Sequence, residues 1–269
     1  YNNWTLDFSN TFGSNVFNYD VSNTNNASMG AQSPTEFNAG SHGFLQNTFN
    51  IDASKKINNF NIAFGGEWRF EQYQIKSGEE ASYKNYGLVS GAAGGAQSFI
   101  GFSNDNALKK SRNSEALYAD VSYDLEKFNV DAAARFENYS DFGSALTGKL
   151  ALRYELFNNF SLRGAVWTGF RAPSLQQQYF NNSYSDISTS GSGIVNKGIF
   201  TNDSAIAQEI GFDKLKEEKS VNASAGFTFK PVDKLFITLD GYLIKVKDRI
   251  VITSQFSDPS FAAYDVESA

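Results

Sequence analysis

The chain has 269 residues, of which 41% are hydrophobic and 15% aromatic, and its mean hydropathy is −0.38. The formal net charge of −6 and a pI near 4.9 argue against a basic groove that binds nucleic acid. Cysteine is absent, which excludes thiol catalysis, cysteine metal sites and disulfides. No stretch reaches about eighteen apolar residues, so the sequence also excludes a membrane-spanning helix.

The most informative pattern is strict alternation of apolar and polar residues, which is clearest over residues 60–71. Phe60, Phe64 and Trp68 occupy even-numbered positions, whereas Glu67 occupies an odd-numbered position. A period of two predicts a β-strand with one apolar face and one polar face. The same pattern recurs and predicts nine strands. These lie at about residues 2–20, 43–54, 59–75, 112–125, 128–137, 146–156, 160–170, 221–229 and 234–254.

The connections between these strands alternate in length. Tight turns are predicted near residues 56, 127, 158 and 232, and the connection near 141 is also short. The other connections are long, at residues 21–42, 76–111 and 171–218. In an up-and-down antiparallel sheet alternate connections lie on the same side, so the tight turns would share one rim and the long loops the other. This segregation favours an all-β transmembrane β-barrel over a soluble sheet with one solvated face, which the pattern alone leaves open.

The polar positions of several predicted strands include residues of both charge signs. Such charges suit cross-strand ion pairs that line a watery interior. The charged residues in question are Glu67, Arg69, Asp131, Arg135, Lys149 and Arg153.

The end of the seventh predicted strand closely resembles the TGFRAPSLxQ signature in the barrel of TonB-dependent outer-membrane receptors. The signature residues are Thr168, Gly169, Phe170, Arg171, Ala172, Pro173, Ser174 and Leu175, and Gln176 and Gln177 follow them. Residues 215–220 resemble the family's LKPEKS element, with Glu217 in place of the usual proline. Residues 236–242 and 247–250 resemble the strand that follows, so the resemblance covers nearly the whole chain.

This resemblance implies a barrel of about twenty-two strands with a plugged interior, in the outer membrane of a Gram-negative bacterium. We expect residues 1–269 to be one partial β-barrel domain of about nine strands, without the plug domain and the closing strands. The whole protein would bind a scarce nutrient outside the cell and import it with energy from the TonB complex, which it would contact through the plug region. Its expected partners are outer-membrane lipid and a small-molecule or oligosaccharide substrate. An open sheet of nine strands should aggregate or misfold when it is expressed alone, because its two edges are unpaired.

A cluster of amides and aromatic rings follows the signature and is the candidate substrate site. Amide donors and aromatic faces suit a sugar or a large polar chelate, although loops of this composition also occur without a ligand. The candidate binding residues are Gln176, Gln177, Gln178, Tyr179, Phe180, Asn181, Asn182 and Tyr184. For Arg171, Pro173 and Ser174 a structural role is favoured over ligand contact. Pro173 would end the strand ladder because it has no N–H, and Arg171 would anchor the loop to neighbouring acids.

Other candidate sites are weaker, and we expect no catalytic residues, metal or cofactor. His42, the only histidine, is predicted to be a plain loop residue. Residues 104–106 are predicted to form a turn and residues 91–96 a flexible loop. A non-transport barrel or adhesin, an outer-membrane enzyme and a soluble carbohydrate-binding β-sandwich remain the alternatives. The enzyme would need a convergent nucleophile and base, and no such pair can be identified in the sequence, which has one histidine.

Overall fold

Nine strands form one antiparallel sheet in a computed structural model that describes residues 4–187, 194–209 and 211–252. They pair in chain order as β1 (Trp4–Ser22), β2 (Glu36–Ile57), β3 (Phe60–Lys76), β4 (Leu108–Leu125), β5 (Phe128–Tyr139), β6 (Gly143–Phe157), β7 (Phe160–Arg171), β10 (Glu218–Val232) and β11 (Leu235–Lys247). Between β7 and β10, the strands β8 (Asn182–Ile187) and β9 (Ile194–Ile199) form a separate hairpin. The helices are a 3₁₀ helix (Ala27–Gln32), α1 (Glu80–Tyr83), α2 (Leu175–Tyr179) and α3 (Ala205–Glu209). In the described ranges no helix is both long and apolar enough to cross a membrane.

All the connections at one rim of the sheet are two-residue turns, at residues 58–59, 126–127, 158–159 and 233–234. We call this end the turn rim. The connections at the opposite end, which we call the loop rim, cover residues 23–35, 77–107, 140–142 and 172–217. The predicted segregation of loop lengths is therefore confirmed, including the short connection near residue 141.

One face of the sheet, the outer face, carries apolar side chains that stay exposed. Leu117 is 67% exposed and Leu146 is 72% exposed. On β3 this face is apolar from Phe60 to Phe70, which is about 34 Å of strand. At a tilt of about 45° such a strand covers about 25 Å, the height of the apolar band of a membrane barrel. An exposed apolar face of this size is unfavourable in water, and no second sheet covers it in the described ranges. The fold is that of a partial transmembrane β-barrel wall and not a two-sheet sandwich.

Aromatic pairs lie on the outer face next to the turn rim. The ring centroids are 4.4 Å apart for Phe60 and Tyr123, 6.4 Å for Phe128 and Tyr154, and 6.0 Å for Phe160 and Phe229. Aromatic rings with a polar tip or edge collect where a membrane barrel meets water. This row therefore marks one boundary of the apolar band.

The opposite, inner face carries the predicted ion pairs. Lys149 Nζ lies 2.7 Å from Asp131, and Arg135 lies 3.3 Å from Glu67, in each case across strands. Arg153 makes no ion pair in the described ranges and donates to a serine hydroxyl instead. Pairing opposite charges across strands stabilises a polar inner face without burying unpaired charge.

On the inner face of β3, a glycine is required at the position where side chains from the two neighbouring strands contact each other. Gly65 lies between Asp52 on β2 and Tyr118 on β4, and the Tyr118 hydroxyl donates to Asp52 across it at 2.6 Å. A Cβ at Gly65 would meet the Asp52 carboxylate and would lie 2.7 Å from the Tyr118 ring. No other residue leaves room for this hydrogen bond.

Gly65→Ala should therefore lower the midpoint of thermal unfolding of the purified, detergent-solubilised protein. The expected cost is about 1–3 kcal/mol, because the new methyl group must push the Asp52–Tyr118 pair apart. Gly148→Ala is the matched control, since the nearest atom to its new Cβ would be the Ala133 carbonyl oxygen at 3.6 Å. Equal melting temperatures for the two variants would contradict this reading of Gly65.

Several predicted bounds are wrong, mainly at the loop rim. β2 begins at Glu36 and not at residue 43, and β4 begins at Leu108 and not at residue 112. Apolar and polar residues alternate only in the part of a strand that lies in the apolar band. The pattern therefore does not reveal the part of the strand that extends past the band. Gly40, at φ 94°, also interrupts the pattern in β2.

At the other end of the chain, Pro231 belongs to β10 and not to the turn. A register shift between Phe229 and Val232 accommodates this residue, which has no N–H. The last strand of the sheet ends at Lys247, and residues 253–254 of its predicted span lie outside the described residues.

Candidate functional site at the loop rim

A small hydrophobic core lies on the inner face at the loop rim. Tyr73 and Ile75 of β3, Phe102 of the 77–107 loop and Leu175 of α2 are each at most 2% exposed. Partly buried side chains pack around them, namely Tyr19, Phe44, Leu108, Tyr179 and Phe180. Apolar burial thus attaches both a loop and the start of the candidate binding segment to the wall.

The loops at residues 23–35 and 77–107 interlock through one buried asparagine. Asn26 donates from Nδ2 to the carbonyls of Ala81 and Lys84, at 2.9 Å each. Its Oδ1 accepts from the amide and hydroxyl of Ser28, and its backbone forms a β-bridge with Ala96. Because these groups are buried and satisfied, the two loops form one packed unit. The predicted flexible stretch 91–96 is wrong in part, since residues 94–96 are buried against this unit.

The signature segment ends β7 and starts α2. Arg171 is the last residue of β7 and makes two hydrogen bonds to the Glu218 carboxylate, at 2.8 and 2.7 Å. The predicted anchoring of Arg171 to a neighbouring acid is confirmed. Pro173 is buried, and Ser174 caps α2 in a reciprocal capping box with Gln177. The signature therefore fixes the place at which the chain leaves the barrel wall and enters the loop.

The other signature residues lie in or beside this exit. Thr168, Gly169 and Phe170 belong to β7, and Thr168 accepts a hydrogen bond from the Gly148 amide. Gly169 has Ser220 as its partner on β10, whose hydroxyl would lie 2.9 Å from an added Cβ. Ala172 is half-buried in the exit itself.

Arg112 holds the signature to the wall, a role that the sequence did not predict. Its guanidinium is 4% exposed and donates to Glu71 from two nitrogens, at 2.8 and 2.6 Å. It also donates to Asp141 at 3.2 Å and to the Pro173 carbonyl at 2.7 Å. Its charge lies over the Tyr139 ring, 5.2 Å from the centroid. One buried cation thus joins β3, β4, the 140–142 turn and the signature.

Several candidate binding residues are engaged in contacts within the chain. Gln178 donates to Asp141 at 2.8 Å, and Tyr179 lies under the Lys110 ammonium, 5.2 Å from its ring centroid. Burial, together with the nearby Asp141 carboxylate, raises the pKa of the Tyr179 hydroxyl. Gln177 is used in the capping box.

The remaining candidate residues differ in how they are placed. Gln176 is exposed, and Phe180 packs edge-on against Phe102, with ring centroids 6.1 Å apart. Asn181 accepts from the Asn106 amide at 2.8 Å, so the predicted 104–106 turn also supports the segment. Asn182 has a buried Oδ1 for which the described residues provide no partner, and Tyr184 belongs to β8.

His42 is not a loop residue, and that prediction is wrong. It lies in β2 on the inner face, and its Nε2 is 3.4 Å from the Tyr19 hydroxyl. Its ring centroid is 5.3 Å from that of Phe17 and 6.1 Å from that of Tyr73. Among the residues with described positions, no group of three or more His, Asp or Glu is arranged to hold a metal ion.

Comparison with known proteins adds the family context of this wall. The family described as "TonB dependent receptor-like, beta-barrel" matches residues 1–266. A vitamin B12 transporter, BtuB, from Vibrio cholerae serotype O1 is 30% identical over 76 residues. That match covers 28% of this chain and 12% of the transporter.

Two solved structures have the same fold over most of this chain. The siderophore receptor PirA from Acinetobacter baumannii has a TM-score of 0.55 and 16% identity, and the match covers 91% of this chain. A G324V mutant of the ferric enterobactin receptor PfeA from Pseudomonas aeruginosa has a TM-score of 0.56 and 16% identity, with 90% coverage. This chain spans 32% of each of those receptor chains.

Proposed function

The chain belongs to the TonB-dependent receptor β-barrel family, and from that premise we propose that it forms part of an outer-membrane importer of a scarce nutrient. The importer lies in the outer membrane of a Gram-negative bacterium, and the TonB complex supplies the energy for uptake. The loop rim faces the outside and the turn rim faces the periplasm. The role of this segment is binding and passage, without catalysis.

The observation that supports this proposal is that buried contacts fix the candidate binding segment to the barrel wall. The buried Arg112 and Leu175 fix the start of α2 over the inner face, so the loop leaves the wall at a set place. Binding loops positioned by a rigid scaffold are the usual arrangement for a ligand site. An adhesin without transport would not need a loop fixed over the interior.

The candidate binding residues favour a substrate that is polar and has flat faces. Gln176 is exposed, and its side-chain amide makes no hydrogen bond in the described residues. Amide groups beside the aromatic rings of Tyr179 and Phe180 suit a metal chelate or a sugar. The names of the similar proteins, a siderophore receptor and a vitamin B12 transporter, lead us to place chelates first and oligosaccharides second.

Uptake by whole cells tests this proposal. The gene for the full-length protein is deleted and restored on a plasmid, and cells are given labelled ferric siderophores, cobalamin and oligosaccharides in turn. We expect saturable uptake of one class that the deletion removes and the plasmid restores. We also expect a protonophore, or deletion of tonB, to abolish this uptake.

The controls separate import from the alternatives. Uptake that survives loss of TonB would indicate a passive barrel, and unchanged uptake of every compound in the deletion strain would contradict the import proposal. Gln176→Ala is expected to weaken uptake of the correct substrate, whereas Gln97→Ala, on the neighbouring 77–107 loop, should leave uptake unchanged.

A further inference from the structure

Three lysines cluster on the outer face where β10 and β11 approach the loop rim. Lys219 of β10 and Lys247 of β11 are direct cross-strand partners. Lys245 lies two residues before Lys247 on β11 and therefore points to the same face. The three side chains form one contiguous patch, which we call the basic patch.

The register places the basic patch just above the apolar band. Lys245 pairs with Val221, and the preceding outward residue on β11 is Leu243. Val221 is 61% exposed and Leu243 is 69% exposed, as expected for side chains that face lipid. Lysine stems can lie along such an apolar surface while their ammonium groups reach the polar boundary of a membrane.

The charge of the basic patch is only partly compensated within the chain. Glu217 lies 3.0 Å from Lys219 Nζ, and Asp248 is close enough to interact with Lys219 electrostatically. Lys245 and Lys247 take part in no ion pair among the described residues. Like charges directly opposite each other weaken a sheet unless an anion lies between them.

We propose that the basic patch binds the phosphate of a lipid headgroup in the membrane leaflet at the loop rim. A phosphate at this depth meets several ammonium donors at once and removes the repulsion between Lys219 and Lys247. Lipid phosphates lie at the boundary between the apolar band and water, which is where the register places the three lysines. The inference goes beyond nutrient import and requires only that the outer face meets lipid.

Lipid titration of the purified protein tests this proposal. The full-length, delipidated protein in a neutral detergent is titrated with phosphatidylglycerol, and bound lipid is counted by native mass spectrometry. The double variant Lys245→Gln/Lys247→Gln should bind roughly twentyfold more weakly, since a lysine near an anionic membrane surface contributes on the order of fivefold. Lys149→Gln makes the same change on the inner face and should bind as the unsubstituted protein does.

Three further results decide the inference. Diacylglycerol, which has the same tails without phosphate, should bind no better to the unsubstituted protein than to the double variant. Equal binding of phosphatidylglycerol to the two proteins would overturn the proposal. So would displacement of the lipid by an equal concentration of inorganic phosphate, because the patch would then be a general anion site. An unchanged shift in gel mobility on heating verifies that each variant is folded, and the assay does not depend on any transported substrate.

Discussion

Replacing Arg112 with methionine should destabilise the loop rim by about 3–5 kcal/mol, the largest single effect we expect in this chain. Arg112 is buried and is the cation that faces both Glu71 and Asp141. Its loss leaves the buried Glu71 carboxylate without its donor and Asp141 without its cation, while Asp141 and the Pro173 carbonyl keep only the Gln178 amide. Unpaired buried charge is costly. Thermal unfolding of the purified protein and the rate at which protease cleaves residues 172–217 measure the effect.

A matched change elsewhere on the inner face separates this network from a general need for arginine. Arg153→Met removes a more exposed arginine that makes one side-chain hydrogen bond among the described residues, so it should change the unfolding temperature little. Adding Glu71→Gln to the Arg112 variant should recover part of the loss, because one unpaired charge disappears. If Arg112→Met and Arg153→Met melt at the same temperature, the proposed role of Arg112 is wrong.

Replacing Leu175 with alanine should cost about 2–5 kcal/mol, because its side chain is fully buried between the wall and the loop. The cavity would lie against Tyr73 and Phe102, so α2 should loosen before the sheet unfolds. The variant should therefore show faster proteolysis of residues 172–217 and weaker nutrient uptake.

Leu150→Ala serves as the control for this second prediction. Leu150 is on the outer face and 43% exposed, so its truncation leaves no enclosed cavity and should have a much smaller effect. Loss of stability in both variants by the same amount would mean that packing against Leu175 does not hold the loop.

The sheet could be predicted from the sequence wherever a strand crosses the apolar band. There the outward-facing positions of a strand must be apolar and the inward-facing positions polar. Residues such as Phe64 and Glu67 therefore reveal both the strand and its two faces. The tight turns were also predictable, because Asn158-Asn159 and similar pairs interrupt the alternation. Beyond the band both faces are polar or packed by loops, and the pattern that would mark Glu36 or Leu108 as the start of a strand disappears.

The candidate site was predictable only through the signature. The family resemblance located Pro173 and Ser174 at the exit of β7, and the anchoring of Arg171 followed from simple charge pairing. The role of Arg112 could not be inferred, because its partners Glu71 and Asp141 are 41 and 29 residues away in the chain. A buried contact between distant segments leaves no periodic signal in one sequence. The only hint was an arginine on an inward position at the end of a strand.

The packing of the long loops was missed for a related reason. Residues 91–96 are small and lack any apolar pattern, so the sequence predicts flexibility. In the folded chain Ala96 is fully buried beside Asn26, and hydrogen bonds, more than apolar burial, fix the loop. His42 was misplaced because the part of β2 that carries it lies beyond the alternating region.

The central claim is that the loop rim lies outside the cell and the turn rim in the periplasm, and cysteine labelling tests it most directly. The present sequence has no cysteine, so single cysteines can be placed at Leu88 in the 77–107 loop and at Asn158 in a tight turn. Both positions are exposed. With a membrane-impermeant maleimide, Leu88→Cys should be labelled in intact cells and Asn158→Cys only after the outer membrane is permeabilised. Labelling of Asn158→Cys in intact cells, or protection of Leu88→Cys, would contradict the account.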